Sequence, residues 1–453
     1  MAATKGGLMT TRDELLARAQ KPAEEALRLH PFYRGKVQIA PKCPIRSLDD
    51  FAIWYTPGVA APCKAIQARP ELVWEHTNRG NLVAIVSDGT RVLGLGDIGP
   101  EAGLPVMEGK ALLFKYLGGV DAVPLCLGTK DPDELVRAVE WLAPSFGAVN
   151  LEDIAQPKCF RVLAALRERL PIPVWHDDQQ GTATVLLAGL TNALEVVGKR
   201  IDRVRIALIG TGAANVAIYR LLRARGVDPA GIVACDSRGT LHRGRVDLEA
   251  ARETYSDKWR ICTETNPERV TGGIAKALRG ADVCIAFSRP GPGVIEPDWV
   301  RAMAHDAIVF ACANPVPEIW PWDAAEAGAR IVATGRGDLP NQLNNSLAFP
   351  GIFRGALDVR ASAISDAMAL DAADALARVA RAGGLSEQRV LPHMSETEAH
   401  VQVALATAAA AVREGLARVP APADLEAAVR RRIDDARALS ALLVREQLIP
   451  PPP

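Results

Sequence analysis

The stretch RVRIALIGTGAANVAIYRLLRARGVDPAGIVACD, residues 203–236, decides the fold. It opens on a short apolar run, RVRIALIG, that closes on a Gly-x-Gly turn at Gly210, Thr211 and Gly212. AANVAIYRLLRARG then carries apolar residues at helical spacing, and GIVACD (231–236) is a second apolar run. A strand, a helix and a further strand in this order form a βαβ unit with parallel strands. A Gly-x-Gly turn lets the backbone approach a pyrophosphate, and the helix that follows offers free N–H groups and positive dipole charge. Gly210, Thr211, Gly212, Ala213 and Ala214 are therefore the expected phosphate-facing residues of a dinucleotide site, with Asp236 at the next strand end as acceptor for the ribose hydroxyls. Asn215 stands where a third Gly or Ala usually allows the helix to pack closely on the strand. A carboxylate at 236 repels a 2′-phosphate, so NAD is the expected cofactor, with NADP as the alternative if Arg238, Arg243 or Arg245 receives that phosphate.

The same alternation extends in both directions. Upstream, LVAIVSDGT (82–90), DAVPLCLGT (121–129), AVNLED (148–153) and IPVWHDD (172–178) read as strands. Between them GKALLFKYL (109–117), the segment from Pro132 to Leu142 and CFRVLAALRERL (159–170) read as helices, the second opened by Asp131, Pro132 and Glu134. GTATVLLAGLTNALEVVGK (181–199) is a long, almost wholly apolar helix expected to be buried between the two halves. Downstream strands are ADVCIAF (281–287), AIVFACANP (307–315) and RIVATG (330–335). Helical patterns rich in Ala, Leu and Arg follow residue 360, and the proline tail reads as frayed. The fold class is α/β. Two open parallel-sheet domains are expected, a substrate- and metal-binding unit over 1–179 and a Rossmann-type unit over 180–358, with a C-terminal helical extension over 359–453.

A chain of 453 residues is long enough for two or three domains. Lys plus Arg and Asp plus Glu both number 53, so no basic excess draws the chain to nucleic acid or a membrane surface. No apolar run reaches the roughly 20 residues that span a bilayer. Met1 to Thr10 has no apolar core of a secretory signal, and Thr11 with Glu14 reads as a capping box. The eight cysteines are scattered without C-x-x-C spacing, which points to reduced thiols and a cytoplasmic protein.

Two acid pairs close successive strands of the first half: Glu152–Asp153 and Asp177–Asp178. In an open α/β sheet those strand ends share one edge, where ligands bind. Clustered carboxylates need a counter-charge, and all-oxygen ligands suit Mg²⁺ or Mn²⁺. Lys110, read as the head of a helix, falls on the same edge, and Tyr55 stands just before an expected helix start at Thr56–Pro57.

Taken together, YTPGVA (55–60), SDGTRVLGLGDIGPEAGLPVMEGKALL (87–113), NLEDIAQPKCF (150–160), HDDQQGTA (176–183), CANPVPEI (312–319) and GRGDLPNQLNNSLAFPGIFRGAL (335–357) resemble the malic enzyme family in its short bacterial form, over about residues 27–360. The resemblance implies oxidative decarboxylation of (S)-malate to pyruvate and carbon dioxide; a homodimer or higher oligomer is expected because the N-terminal helix before the matched region and the C-terminal helices exceed what two α/β cores require. It implies Tyr55 as general acid, Lys110 as general base with Asp177 in support, and Glu152, Asp153 and Asp178 as metal ligands. Asn314 and Asn345 would hold substrate or nicotinamide, and Arg91 a malate carboxylate. Gln180, often His in short relatives, Arg289 in SRPGPG and the long C-terminal region depart from the pattern.

The residue types suit that chemistry. Oxidation needs a base for the hydroxyl proton, and a Lys serves only if its pKa is lowered, as a nearby cation and partial desolvation would do. A competing reading is a metal-independent amino-acid dehydrogenase, which would leave the acid pairs without purpose. A non-catalytic nucleotide sensor would tolerate loss of Lys110, Tyr55 or the acids, and all are present.

Overall fold

In the computed structural model, which describes residues 12–453, two parallel sheets carry the site. The expected cap at Thr11 and Glu14 and the segment Met1 to Thr10 lie outside the described residues and side chains. The first sheet has strands β1 (Leu82–Ser87), β2 (Asp121–Cys126), β3 (Ala148–Leu151) and β4 (Val174–His176) in the order β2-β1-β3-β4. All of its pairings are parallel, with Val83 of β1 opposite Ala122 and Ala148. The second sheet has β5 (Ile206–Ile209), β6 (Ile232–Asp236), β7 (Gly239–Thr240), β8 (Val283–Ala286), β9 (Ala307–Ala311) and β10 (Ala329–Thr334) in the order β10-β9-β8-β5-β6-β7. Only β7 runs antiparallel, against β6. Strand order reverses between β5 and β8, the crevice where such folds take a ligand. β7 was not legible in advance, because two residues are too few to show a period.

The apolar helix expected over 181–199 forms at Thr182–Val196 and is buried on nearly every side. Three longer helices close the chain: Asp366–Ala382, Thr397–Arg413 and Leu425–Arg445. They fold back on the sheets rather than extend from them. Gly119, at the end of the helix Pro100–Gly118, lies so close to the Leu425–Arg445 helix that a Cβ there would stand 2.6 Å from the Arg432 carbonyl. The proline tail is tied down as well, with Tyr33 Oη donating to the Pro450 carbonyl at 2.9 Å.

Two local expectations are corrected. The helix carrying Lys110 begins at Pro100, so Lys110 sits in mid-helix and not at its head. Pro105 lies inside the helix, where its missing N–H gives up only an early helical bond. The helix also does not start at Thr56–Pro57. Tyr55 caps a single turn, Phe51–Trp54, and the next helix starts at Ala60 after a turn closed by Gly58 N–H to Ala52 O at 2.8 Å.

Helix Phe349–Asp358 packs on Thr397–Arg413 through Gly351 and Gly355, where a Cβ on Gly351 would stand 2.6 Å from the His400 carbonyl and one on Gly355 closer still to that of Ala404. Replacing Gly355 by Ala should cost roughly 1–3 kcal/mol by overpacking. The urea midpoint should fall accordingly, and an unchanged midpoint would show that this helix pair yields without strain.

Candidate active site

The ends of β3 and β4 bring the two acid pairs together. Glu152 extends the β3 ladder, its N–H donating to Val86 O at 2.9 Å, which fixes the direction of its side chain. Asp153 follows with a φ of 54°, a left-handed turn that keeps its carboxylate beside its neighbours. Its N–H donates to Asp178 Oδ2 at 2.8 Å. One oxygen each from Glu152, Asp153 and Asp178 falls within 4.8 Å of the others.

Asp177 is turned to the other side, onto Lys110. The Lys110 ammonium is 2.6 Å from Asp177 Oδ2 and 2.9 Å from Glu152 Oε1, and its Nζ lies 4.4 Å from the centre of the Phe349 ring. Trp175 Nε1 donates to Asp177 Oδ1 at 3.2 Å, and Asn150 Nδ2 to Glu152 Oε2 at 2.8 Å. Gly181 is required here because a Cβ would overlap Asp177 Oδ1. Asn345 also reaches this point, since a Cβ on Gly181 would stand 3.4 Å from its own Cβ.

The electrostatics follow from this crowding. Burial alone would push the Lys110 ammonium down, but the Asp177 and Glu152 carboxylates outweigh it and hold the amine above its ordinary value. The expected lowering of Lys110 is thus absent from the chain by itself. Burial raises the pKa of Glu152, Asp153, Asp177 and Asp178, and repulsion from neighbouring carboxylates adds to it at Glu152, Asp153 and Asp177. Asp153 Oδ2 is buried without any hydrogen-bond partner, which is costly for a carboxylate unless a cation serves it. The donor set therefore fits a hard divalent ion.

Other expected residues stand at varying distance from this centre. Arg91 donates its N–H to Asp153 O at 2.9 Å, and its guanidinium, near enough to lower Asp153 and Asp178, makes no ion pair among the described residues. Asn314 meets the first sheet's loop: a Cβ on Gly94 would sit within contact of both its carbonyl and Pro290. Tyr55 is 69% exposed and its hydroxyl forms no hydrogen bond to the described part of the chain, so the fold of one chain does not bring it onto Lys110.

At the second sheet, Gly210 has a φ of 87° and lies against the Phe287 carbonyl, so only glycine fits. Gly212 precedes helix Ala213–Ala224, and a Cβ on it would meet nothing within 4 Å, leaving the backbone open to a ligand. Thr211 is buried with its hydroxyl unpartnered. These features fit a pyrophosphate. Asp236 ends β6 as expected but is engaged bidentately by Arg245, at 3.0 Å to each oxygen.

Two family models match the chain, the malic enzyme N-terminal domain over residues 34–167 and the malic enzyme NAD binding domain over residues 179–412. The chain belongs to the malic enzyme family. It is 48% identical over 396 residues to the bifunctional malic/malolactic enzyme of Bacillus subtilis, covering 87% of this chain and 94% of that one. The NAD-dependent malic enzyme of Geobacillus stearothermophilus is 48% identical over 85% of this chain and 78% of its own length. The NADP-dependent malic enzyme of Escherichia coli is 41% identical over 88% of this chain but only 53% of its own length. Among solved structures, the Entamoeba histolytica malic enzyme superposes with a TM-score of 0.94 at 47% identity, covering 97% of this chain and 92% of that one. The match to the malic enzyme models continues past residue 360, where the resemblance read from the sequence stops.

Departures from the malic enzyme pattern have local explanations. Asn215 donates through Nδ2 to the carbonyls of Ile209 (3.0 Å) and Gly210 (2.6 Å), so it caps the strand end instead of loosening the turn. Gln180 is buried and accepts the His176 N–H at 3.0 Å. Arg289 is exposed, and nothing in the structure explains it. Sequence reasoning passed over Glu318, whose buried carboxylate accepts from Ser288 N (2.8 Å), Ser288 Oγ (2.9 Å) and Ala313 N (3.0 Å) and so ties the loop bearing Asn314 to the neighbouring strand end. It also passed over Phe349 and Trp175; all three lie in or beside the recognised segments but read there as ordinary core or loop residues.

The acid cluster has a thermodynamic signature. Asp153 is pushed up to about 8 by burial and by Asp178, from an ordinary value of 3.8. The folded, metal-free chain thus binds this proton more tightly than the unfolded chain, and the stability gained is lost as pH rises through about 8. His176, held down at about 4 by burial, stays neutral in that range. In excess chelator the thermal midpoint should fall between about pH 6 and about pH 9, and saturating Mg²⁺ should flatten the profile. A midpoint that rises across this range without metal would contradict the shared burial of these acids.

Proposed function

We propose that this chain oxidises and decarboxylates (S)-malate to pyruvate and carbon dioxide, reducing NAD, with NADP as the alternative dinucleotide. The observation that carries the reading is the Glu152, Asp153 and Asp178 oxygen cluster set against a buried Lys110–Asp177 pair. Lys110 is the base that takes the malate hydroxyl proton as hydride leaves for the nicotinamide, and Asp177 orients it. Arg91 pairs with a malate carboxylate, and Asn314 and Asn345 hold substrate or nicotinamide. Gly210 to Ala214 and Asp236 hold the remainder of the dinucleotide. Tyr55 returns a proton from its phenol hydroxyl to the enol carbon after decarboxylation. Glu152, Asp153 and Asp178 would hold Mg²⁺ or Mn²⁺, which would supply positive charge to polarise the substrate oxygens and to weaken the hold of the Lys110 ammonium on its proton.

Functionally, we assign substrate and metal binding to 1–179, the dinucleotide to 180–358 and a helical extension to 359–453, in a cytoplasmic enzyme that uses no nucleic acid or membrane partner. Among the described residues no helix is long and apolar enough to cross a membrane. We also propose a homodimer or higher oligomer. The arm before β1 exposes Ile39, Leu48, Ile53 and Trp54 together with Tyr55, an apolar surface that a second copy would cover. Light scattering at micromolar concentration should give at least twice the chain mass of 48.4 kDa, and a monomer would refute this.

Chelation should abolish malate turnover, and Asp178→Asn should do so while circular dichroism stays unchanged; full activity in excess chelator would sink the metal assignment. The proton roles separate by half-reaction. Lys110→Ala should lose malate oxidation by roughly 10²–10⁴-fold, the usual worth of a positioned base, yet retain much of its metal-assisted decarboxylation of oxaloacetate. Tyr55→Phe should still reduce the cofactor slowly but fail to protonate enolpyruvate. Equal losses of both half-reactions in both variants would mean that the residues act as one unit.

A further inference from the structure

A carboxylate at the end of the second Rossmann strand normally does two things, accepting ribose hydroxyls and repelling a 2′-phosphate. Asp236 is not free to do the second. Both of its oxygens are taken by the Arg245 guanidinium at 3.0 Å, and Oδ1 also accepts the Arg238 N–H at 2.9 Å. Arg245 further holds Asp247, Nε to Oδ1 at 2.7 Å and Nη2 to Oδ2 at 2.8 Å, and Arg238 reaches Asp247 Oδ2 at 3.2 Å. The two arginines cancel the two aspartates. Lys258, on the helix Ser256–Glu264, is near enough to feel Asp236, Arg245 and Asp247 but forms no ion pair among the described residues, so the group as a whole carries one positive charge.

Beside this group lies a cavity of about 440 Å³, with Ser237, Arg238, His242, Arg245, Thr271 and Gly272 among its walls and no carboxylate residue lining it. His242 Nδ1 accepts the Gly244 N–H at 3.1 Å, which in the neutral ring leaves Nε2 as an N–H donor. Hydroxyls, an imidazole N–H and the Arg238 guanidinium are donors of the kind that a phosphate monoester dianion needs, while the N–H groups of Arg245 are taken by Asp236, Asp247 and the Thr240 carbonyl. Arg243, the third arginine of the segment, is turned elsewhere, its Nε donating to the Thr263 carbonyl at 2.9 Å.

We infer that Arg245 sets cofactor choice: it neutralises Asp236 and so leaves Arg238 and His242 to form a seat for the 2′-phosphate of NADP, and this chain accepts both dinucleotides. The inference rests on the dinucleotide reading above and adds a second ligand to the same site. Arg238 is 72% exposed, and its single contact with Asp247 is of the kind that contributes little, so it can turn to a phosphate at small cost.

The test uses the full chain without metal or malate and follows binding of NADH and NADPH by fluorescence. The wild type should bind the two with Kd values within tenfold of each other. Arg245→Ala, which frees the Asp236 charge, should weaken NADPH at least tenfold and NADH less than threefold. Because that change also removes the main partner of two half-buried carboxylates, Arg238→Glu serves as the second variant. It reverses a charge on an exposed wall and should weaken NADPH alone, and adenosine 2′,5′-bisphosphate should compete better than 5′-AMP in the wild type only. Tight NADH binding with no NADPH binding in the wild type would overturn this inference and leave the dinucleotide reading intact. Equal effects on both dinucleotides in folded variants would also overturn it. Failure of both dinucleotides to bind would overturn the inference together with the reading beneath it.

Discussion

A lysine ammonium that is only 7% exposed must be paired, and the pairing of Lys110 organises the centre of this molecule. Its partners come from three places in the chain: Glu152 from the end of β3, Asp177 from the end of β4, and the Phe349 ring from a helix that follows the second sheet. Satisfying one charge therefore requires two strand ends of the first sheet and a helix from far along the chain to meet. The requirement propagates outward to Gly181, which must lack a side chain for Asp177 to fit, and to Trp175, which holds the second Asp177 oxygen. Phe114 packs against Phe349 with ring centres 4.6 Å apart, so the helix that presents Lys110 also anchors the ring beneath it.

Around this pair the chain accumulates more negative charge than it can neutralise. Glu152, Asp153, Asp177 and Asp178 share one lysine, and folding raises the proton affinity of all four. Left-handed backbone at Asp153 adds strain at the same point. A sequence selected for stability alone would not retain these features, since a buried carboxylate oxygen without a partner is among the more expensive things a core can contain. A divalent cation removes the penalty, so the instability of the metal-free cluster and its affinity for an ion have one electrostatic origin.

The dinucleotide end shows the opposite balance. Aspartates and arginines around Asp236 are matched pair for pair, and with Lys258 beside them the group carries one positive charge instead of a negative excess. Under the proposed function the two centres differ because their ligands would differ: one would attract a cation, and the other would hold a ribose beside phosphate groups.

Much of this was readable in advance. Alternating apolar runs and helical patterns predicted both parallel sheets, since strand and helix periods are local properties of the chain. Asp131 predicted its helix cap, and it accepts from Asp133 N at 2.8 Å and Glu134 N at 3.1 Å. Segments such as NLEDIAQPKCF and HDDQQGTA also placed their acids at strand ends, because the residue after a strand is known once the strand is. The helix start at Pro100 and the turn after Tyr55 were misread, for there proline signals compete with longer-range bonds. What remained for the tertiary structure was the choice of partner for each charge. Nothing in GIVACD reveals that Asp236 is held by an arginine nine residues later, and nothing near Lys110 indicates a ring from residue 349. Periodicity and turn chemistry act over a few residues and are written in the sequence, whereas charge pairing acts through space and is settled only when distant segments meet.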